Sequence, residues 1–257
     1  MLGYKSIFDT KKVKVEYMEF KPSQNNGVDS WKEVNLIYNS ALKEIGTKLE
    51  ILNDEFQHVH RYNPIEHIKS RIKSPESIVK KLKKNGYEST IENMVKHVND
   101  IAGIRVICSF TSDIYRIAEM LINQSDIKVI SVKDYLSSPK ASGYKSYHII
   151  VTVPVFLSDR IVDTKVEIQI RTVAMDFWAS LEHKIHYKLE TNVPEYIRRE
   201  LVECARMVSE LDAKMLELNE EVQELSMMDT DELEWVIAHD QRPKKSENEK
   251  DIEEKVV

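Results

Sequence analysis

Between residues 104 and 189 the chain switches hydrophobic period repeatedly, and that switching limits the folds open to it. Short runs rich in β-branched residues at 104–110, 127–136, 147–156 and 165–170 read as strands. Apolar residues at helical spacing across 112–123 and 173–189 read as helices. A longer helical pattern comes first: Val34, Ile37, Tyr38, Leu42, Ile45, Leu49, Leu52 and Phe56 recur across 31–59, with Asp29 or Ser30 as cap and Asn63-Pro64 as a break. Pro194 opens a last helix through Leu201, Ala205, Val208, Leu211, Met215 and Leu218. The order predicts a mixed sheet with helices before, within and after it, an α+β or α/β fold in one domain. Residues 1–30 read as an N-terminal extension and 31–226 as the domain. Residues 227–257, ending KKSENEKDIEEKVV, read as a charged, disordered tail.

The 257 residues suffice for a sizeable core. The formal net charge is −6, so bulk electrostatics gives no reason to expect DNA or another nucleic acid. An anion site must then be a local basic concentration. Cys108 and Cys204 lack metal-ligand spacing and read as thiols of a reducing compartment. No apolar run is long enough to cross a bilayer, and the N-terminus lacks the apolar core of a secretory signal. Together these predict a cytoplasmic protein without a membrane partner.

Four segments carry chemistry. Residues 69–84 hold Lys69, Arg71, Lys73, Lys80, Lys81, Lys83 and Lys84 against the single acid Glu76. Pro75 suits a helix start, where Ser77 offers a hydroxyl near free backbone amides. Helical phase groups Ser77, Lys80, Lys81 and Lys84, a phosphate cradle or a solvated basic face. Next, Asp100 precedes a buried strand, where a carboxylate can meet a divalent cation, and Arg105 opposes Ile104 and Val106 in facing. A turn carboxylate and a structural ion pair are the plain alternatives. Third, strand alternation at 166–171 sends Val166, Ile168 and Ile170 to one face and Glu167, Gln169 and Arg171 to the other. Such a set is costly if buried without partners, so the second face is either a polar site or open to solvent. Fourth, residues 139–148 form a Pro- and Gly-containing turn in which Tyr144 can stack on a base beside Lys140 and His148.

No GxxxxGK[ST] loop, GxGxxG or zinc-spaced His/Cys cluster is present, and His239-Asp240 lies near the charged tail.

In this order and spacing, the segments resemble the synthetase domain of RelA/SpoT-type alarmone enzymes, and more closely the stand-alone small alarmone synthetases. The similarity spans residues 31–188. It includes Asn63-Pro-Ile-Glu66, Arg71-Ile-Lys73, Asp100-Ile-Ala-Gly-Ile-Arg105, Gly143-Tyr144 with His148, Glu167-Ile-Gln-Ile-Arg-Thr172, and Phe177-Trp-Ala-Ser-Leu-Glu-His183 with Tyr187-Lys188. The resemblance implies a nucleotidyltransferase-like domain with a mainly antiparallel sheet of about five strands and a long C-terminal helix. It implies Arg71, Lys73, Ser77, Lys81 and Arg105 as ATP contacts, Asp100 as the Mg²⁺ ligand, and Glu167 as general base sharing the metal. Tyr144 would stack on guanine, with Lys133, Lys140, His148 and Gln169 as further contacts to GTP or GDP. Many relatives carry Asn where Ser142 stands, which puts one contact in question.

The activity so implied is transfer of pyrophosphate from ATP to the 3′-hydroxyl of GTP or GDP, with AMP released, in stringent-response signalling. A homotetramer is also implied, with regulatory RNA or alarmone as further ligands. Too few residues precede Arg71 for the hydrolase domain of full-length relatives, so synthesis without hydrolysis is expected. Two other readings fit the same residues: a nucleotidyltransferase that moves NMP, and a non-catalytic nucleotide- or RNA-binding module.

Overall fold

In the structure, a computed structural model, residues 17–19, 27–188 and 193–228 are described. The elements run β1 (Tyr17–Glu19), α1 (Gly27–Val59), β2 (Ile65–Ile72), α2 (Pro75–Lys84), α3 (Ile91–His97), β3 (Ala102–Cys108), α4 (Thr111–Ile122), β4 (Lys128–Asp134), β5 (Tyr147–Phe156), β6 (Ile161–Thr172), α5 (Val173–Lys188) and α6 (Glu195–Met227). The expected disorder of the tail from residue 229, and most of the N-terminal extension, lie outside the described residues.

Strand β6 organises the sheet, whose order is β2-β3-β6-β5-β4. Its twelve residues outrun the seven of β3, and the short β1 pairs with the vacant stretch at Ile161, Val162 and Asp163. The pairs β2/β3, β4/β5 and β5/β6 are antiparallel, while β3/β6 and β1/β6 are parallel. The sheet is therefore mixed and mainly antiparallel, with β1 added to the five strands of the main path.

One face of the sheet is dry. Ile104, Val106, Ile149, Val151, Val166, Ile168 and Ile170 are all buried, packed with Val34, Tyr38, Ile45 and Leu49 of α1 and Ile114, Ile117 and Leu121 of α4. The period of α1 read from sequence is the stripe that meets this face. Along β6 the alternate residues Asp163, Lys165, Glu167 and Gln169 stay half-exposed on the other side.

Besides the short β1, two elements escape the sequence reading. Strand β2 contains only three apolar residues among charged ones, and it is an edge strand with a single neighbour. Its pattern is therefore weakly constrained by burial. Helix α3 spans only two turns, started by Thr90, whose hydroxyl accepts from Asn93 N. Two strands also begin earlier than expected: β3 at Ala102 and β6 at Ile161.

Helices α5 and α6 close on the turn between β4 and β5. Thr172 Oγ1 accepts from Met175 N at the start of α5 and donates to Asp212 of α6 at 2.7 Å. Trp178 Nε1 donates to Leu201 O at 3.0 Å. Gly143 has φ +85°, and a Cβ there would stand 2.5 Å from Ala205 Cβ. A second unit begins at Lys214, where α6 carries the ion pair Lys214–Glu217 at 2.8 Å.

Gly86 also has positive φ, but a Cβ there would meet open space. Gly86→Ala should cost about 1 kcal/mol, the backbone strain alone. Gly143→Ala should cost clearly more, because α6 must also give way. Denaturant midpoints of the two variants check this, and equal losses would contradict the packing of α6 on the turn.

Candidate active site

The half-exposed face of the sheet lines up charged or polar side chains from all five strands of the main path. Lys69 of β2 is opposite Arg105 of β3, Arg105 opposite Gln169 of β6, Gln169 opposite His148 of β5, and His148 opposite Lys133 of β4. One step along, Arg71 is opposite Gly103, and Gly103 opposite Glu167. Residues in register share a face, so this file is a product of the pairing.

On the β2–β3 side, Lys73 N donates to Ile101 O at 2.8 Å, extending the ladder past β2 and setting Lys73 beside Asp100. Lys73 Nζ lies 2.8 Å from Asp100 Oδ2, and Lys81 Nζ of α2 lies 2.7 Å from Oδ1. Burial raises the proton affinity of Asp100, but the two ammonium groups outweigh it and hold the carboxyl below its ordinary value. Ser74 caps α2: its hydroxyl accepts from Ser77 N and meets the Ser77 hydroxyl at 3.0 Å. Arg71, Lys80, Lys83 and Lys84 are exposed and make no ion pair among the described residues. Arg105 Nη1 donates to Asp176 of α5 at 2.9 Å, while its buried Nε finds no partner.

Glu167 sits at the centre, with its side chain 18% exposed. Gln169 Nε2 donates to its Oε2 at 2.9 Å, and His148 Nδ1 lies 3.4 Å from Oε1. Burial alone would raise its pKa; contact with His148 and the Gln169 hydrogen bond prevail and keep it below the ordinary carboxylate range. The charge of Asp100 pushes the other way, so the two carboxylates sense each other. Among the described residues, no group of three or more His, Cys, Asp and Glu could hold a metal. Two carboxylates still suit Mg²⁺, which usually takes one or two from protein and fills its shell with phosphate oxygens and water.

On the β4–β5 side, Tyr144, Tyr135 and His148 meet edge to face, with Lys140 Nζ 4.6 Å and 4.7 Å from the Tyr144 and Tyr135 ring centres. The turn is closed by Gly143 N donating to Lys140 O at 2.8 Å. Tyr144 Oη lies 2.8 Å from His148 Nε2 and accepts from Arg171 Nη2 at 2.5 Å. Tyr144 Oη can donate to Nε2 while Nδ1 faces Glu167.

The fold thus gathers Asp100, Lys73 and Lys81 in one cluster, and Glu167, Gln169, His148 and Tyr144 in another beside it. Lys133 stays exposed on the edge strand, and Ser77 is exposed on α2. Arg105 makes the structural ion pair that was its plain alternative, while leaving one N–H unused. The sequence reading did not single out Tyr135, Ser146 or Asp176 for the site, and it named Arg171 only as a member of the polar face. Asp176 in the first turn of α5 has the look of an ordinary helix-start acid, so nothing local marks it.

Because Asp100 is depressed on folding, its stabilising contribution is complete above its ordinary value of 3.8 and is lost as pH falls through the lower folded value. The stability difference between wild type and Asp100→Asn should therefore be constant at neutral pH and shrink in acid. Urea midpoints measured from about pH 7 down to about pH 2 test this, and a gap that widens in acid would contradict it.

Residues 70–192 match the family described as a region found in RelA / SpoT proteins. The chain is 50% identical over 195 residues to GTP pyrophosphokinase YwaC of Bacillus subtilis, covering 76% of this chain and 93% of that protein. The crystal structure of small alarmone synthetase 2 from Bacillus subtilis superposes with TM-score 0.68 at 48% identity, over 74% of this chain and 98% of that one. Small alarmone synthetase 1 from the same organism, bound to its product pppGpp, superposes with TM-score 0.71 at 34% identity, over 76% and 99%. With this identity over nearly the whole of such relatives, the chain belongs to the RelA/SpoT-type small alarmone synthetases.

Proposed function

We propose that this chain is a GTP pyrophosphokinase, transferring the β,γ-pyrophosphate of ATP to the 3′-hydroxyl of GTP or GDP and releasing AMP and (p)ppGpp. The observation that carries this reading is the position of Glu167, between a cationic cluster on one side and an aromatic cluster on the other, on one sheet face. The relative bound to pppGpp supports the product class.

In this reading Lys73, Lys81, Arg71 and Ser77 hold the ATP phosphates and Arg105 lies against adenine. Lys73 and Lys81 are held in place by Asp100 before the nucleotide arrives. Tyr144 stacks on guanine once Lys140 moves off its ring, and Lys140, His148, Gln169 and Lys133 make the remaining acceptor contacts. Glu167, kept ionised by its neighbours, accepts the 3′-hydroxyl proton so that this oxygen attacks the β-phosphorus and AMP leaves. Asp100 and Glu167 would hold Mg²⁺, which would neutralise phosphate charge when bound. The cations oppose the charge that builds on the transferring group, the chief lever in phosphoryl chemistry.

The protein acts in the cytoplasm, in keeping with the absence of a membrane-spanning helix among the described residues. It assembles as a homotetramer; Val173, Phe177 and Leu181, exposed at helical spacing on α5, offer an apolar surface for a second copy.

Labelled ATP, GTP or GDP and Mg²⁺ should give AMP and 3′-pyrophosphorylated guanosine nucleotide in equal amounts. Release of pyrophosphate with NMP transfer, or binding without turnover, would overturn the assignment. Glu167→Gln should lower kcat by about 10²–10⁴-fold while retaining ATP binding, measured by product chromatography and calorimetry. Light scattering should return four times the chain mass.

A further inference from the structure

Arg171 is a cation placed where cations are expensive. Its residue is 4% exposed at the end of the central strand. A buried guanidinium is retained at low cost only if its donors are matched. Here Nη2 donates to Tyr144 Oη at 2.5 Å and to Gln169 Oε1 at 2.8 Å, Nε to Ser146 Oγ at 3.2 Å, and Nη1 to Asp176 Oδ1 at 3.2 Å. Two of these partners, Tyr144 and Gln169, touch the substrate or the base in the reading above. Once Gln169 Oε1 accepts from Arg171, its amide nitrogen must face Glu167, as it does at 2.9 Å. Without that bond the amide could turn and set its oxygen against the carboxylate.

Asp176 joins this set to the donor side. The same oxygen, Oδ1, accepts from Arg105 at 2.9 Å and from Arg171 at 3.2 Å. One carboxylate thus fixes two guanidiniums, one on β3 and one on β6. It cannot neutralise both, and the surplus positive charge favours anionic ligands at their border.

We propose that Arg171 and Asp176 are positioning residues of the reaction. Arg171 orients the general base and the acceptor aromatic through Gln169 and Tyr144, and Asp176 locks that assembly to the donor-side Arg105. This rests on the assignments of Glu167, Tyr144 and Arg105 made above. Continuous hydrogen bonds run Arg105–Asp176–Arg171–Gln169–Glu167, and Arg171–Tyr144–His148 closes on the same carboxylate.

The test is a split of kinetic constants. Arg171→Lys keeps the charge but not the planar fork, so it cannot serve four acceptors at once. It should lower kcat by about 10- to 100-fold, the scale of a misplacement near 1 Å, and raise the acceptor KM while the ATP KM holds. Asp176→Asn keeps the shape but removes the charge that holds both arginines, so it should raise the KM of both substrates. General damage to the fold would not separate the two variants in this way. The proposal is overturned if Arg171→Lys retains wild-type kcat, or if both variants change the same KM alone. Should Arg171→Lys not fold, the two KM values of Asp176→Asn decide; if neither variant folds, the pair is structural and the proposal fails. Wild type and Glu167→Gln run alongside separate the two levels. A wild type that makes no 3′-pyrophosphorylated product removes the functional reading itself. An inactive Glu167→Gln beside a fully active Arg171→Lys removes only the positioning role.

Discussion

A central strand with one polar face creates the constraint on which the site depends. β6 is flanked on both sides and backed by a dry core, yet it carries Glu167, Gln169 and Arg171 in sequence on its other face. Such groups are tolerated away from water only when each donor and acceptor is matched. Matching them draws in His148 from β5, Tyr144 and Ser146 from the turn before it, and Asp176 from the helix that follows. The polar strand and the assembled site are one solution to one electrostatic problem.

A second balance operates beside it. Asp100 takes both Lys73 and Lys81, which keeps two flexible, strongly hydrated side chains near one point. Under the proposed function, phosphates share lysines already gathered, and less side-chain entropy remains to be lost on binding. The β4–β5 side shows a parallel arrangement, with Lys140 resting on the rings of Tyr135 and Tyr144 as a cation–π partner. Both sides are held by the protein's own charges.

Helix α6 reaches the chemistry through packing. Trp178, Ala179 and Ala205 form a small apolar cluster against Tyr144, Leu201 and Val208. Gly143 leaves no room for a larger residue, so the turn before β5 is set by the helix that presses on it. Small residues at both points of contact allow that close approach.

Much of this was legible in the chain itself. The alternation at 166–171 marked a strand with an apolar and a polar face, and the period of α1 marked the stripe that covers the apolar one, because burial acts on side chains at fixed local spacing. The basic window, Asp100 and the turn with Tyr144 announced charge and ring chemistry by residue type alone. Strand β2 stayed hidden because an edge strand rich in charge lacks the burial that writes a pattern. The partnerships were hidden as well: Asp100 with Lys73 and Lys81, Arg105 with Asp176, and Arg171 with Tyr144 join positions far apart in the chain. Local sequence determines which groups are present and which way each faces along its own element. Only the sheet order, with β3 and β5 on either side of β6, decided which of them meet, because hydrogen bonds and ion pairs depend on distances that the returning chain alone can set.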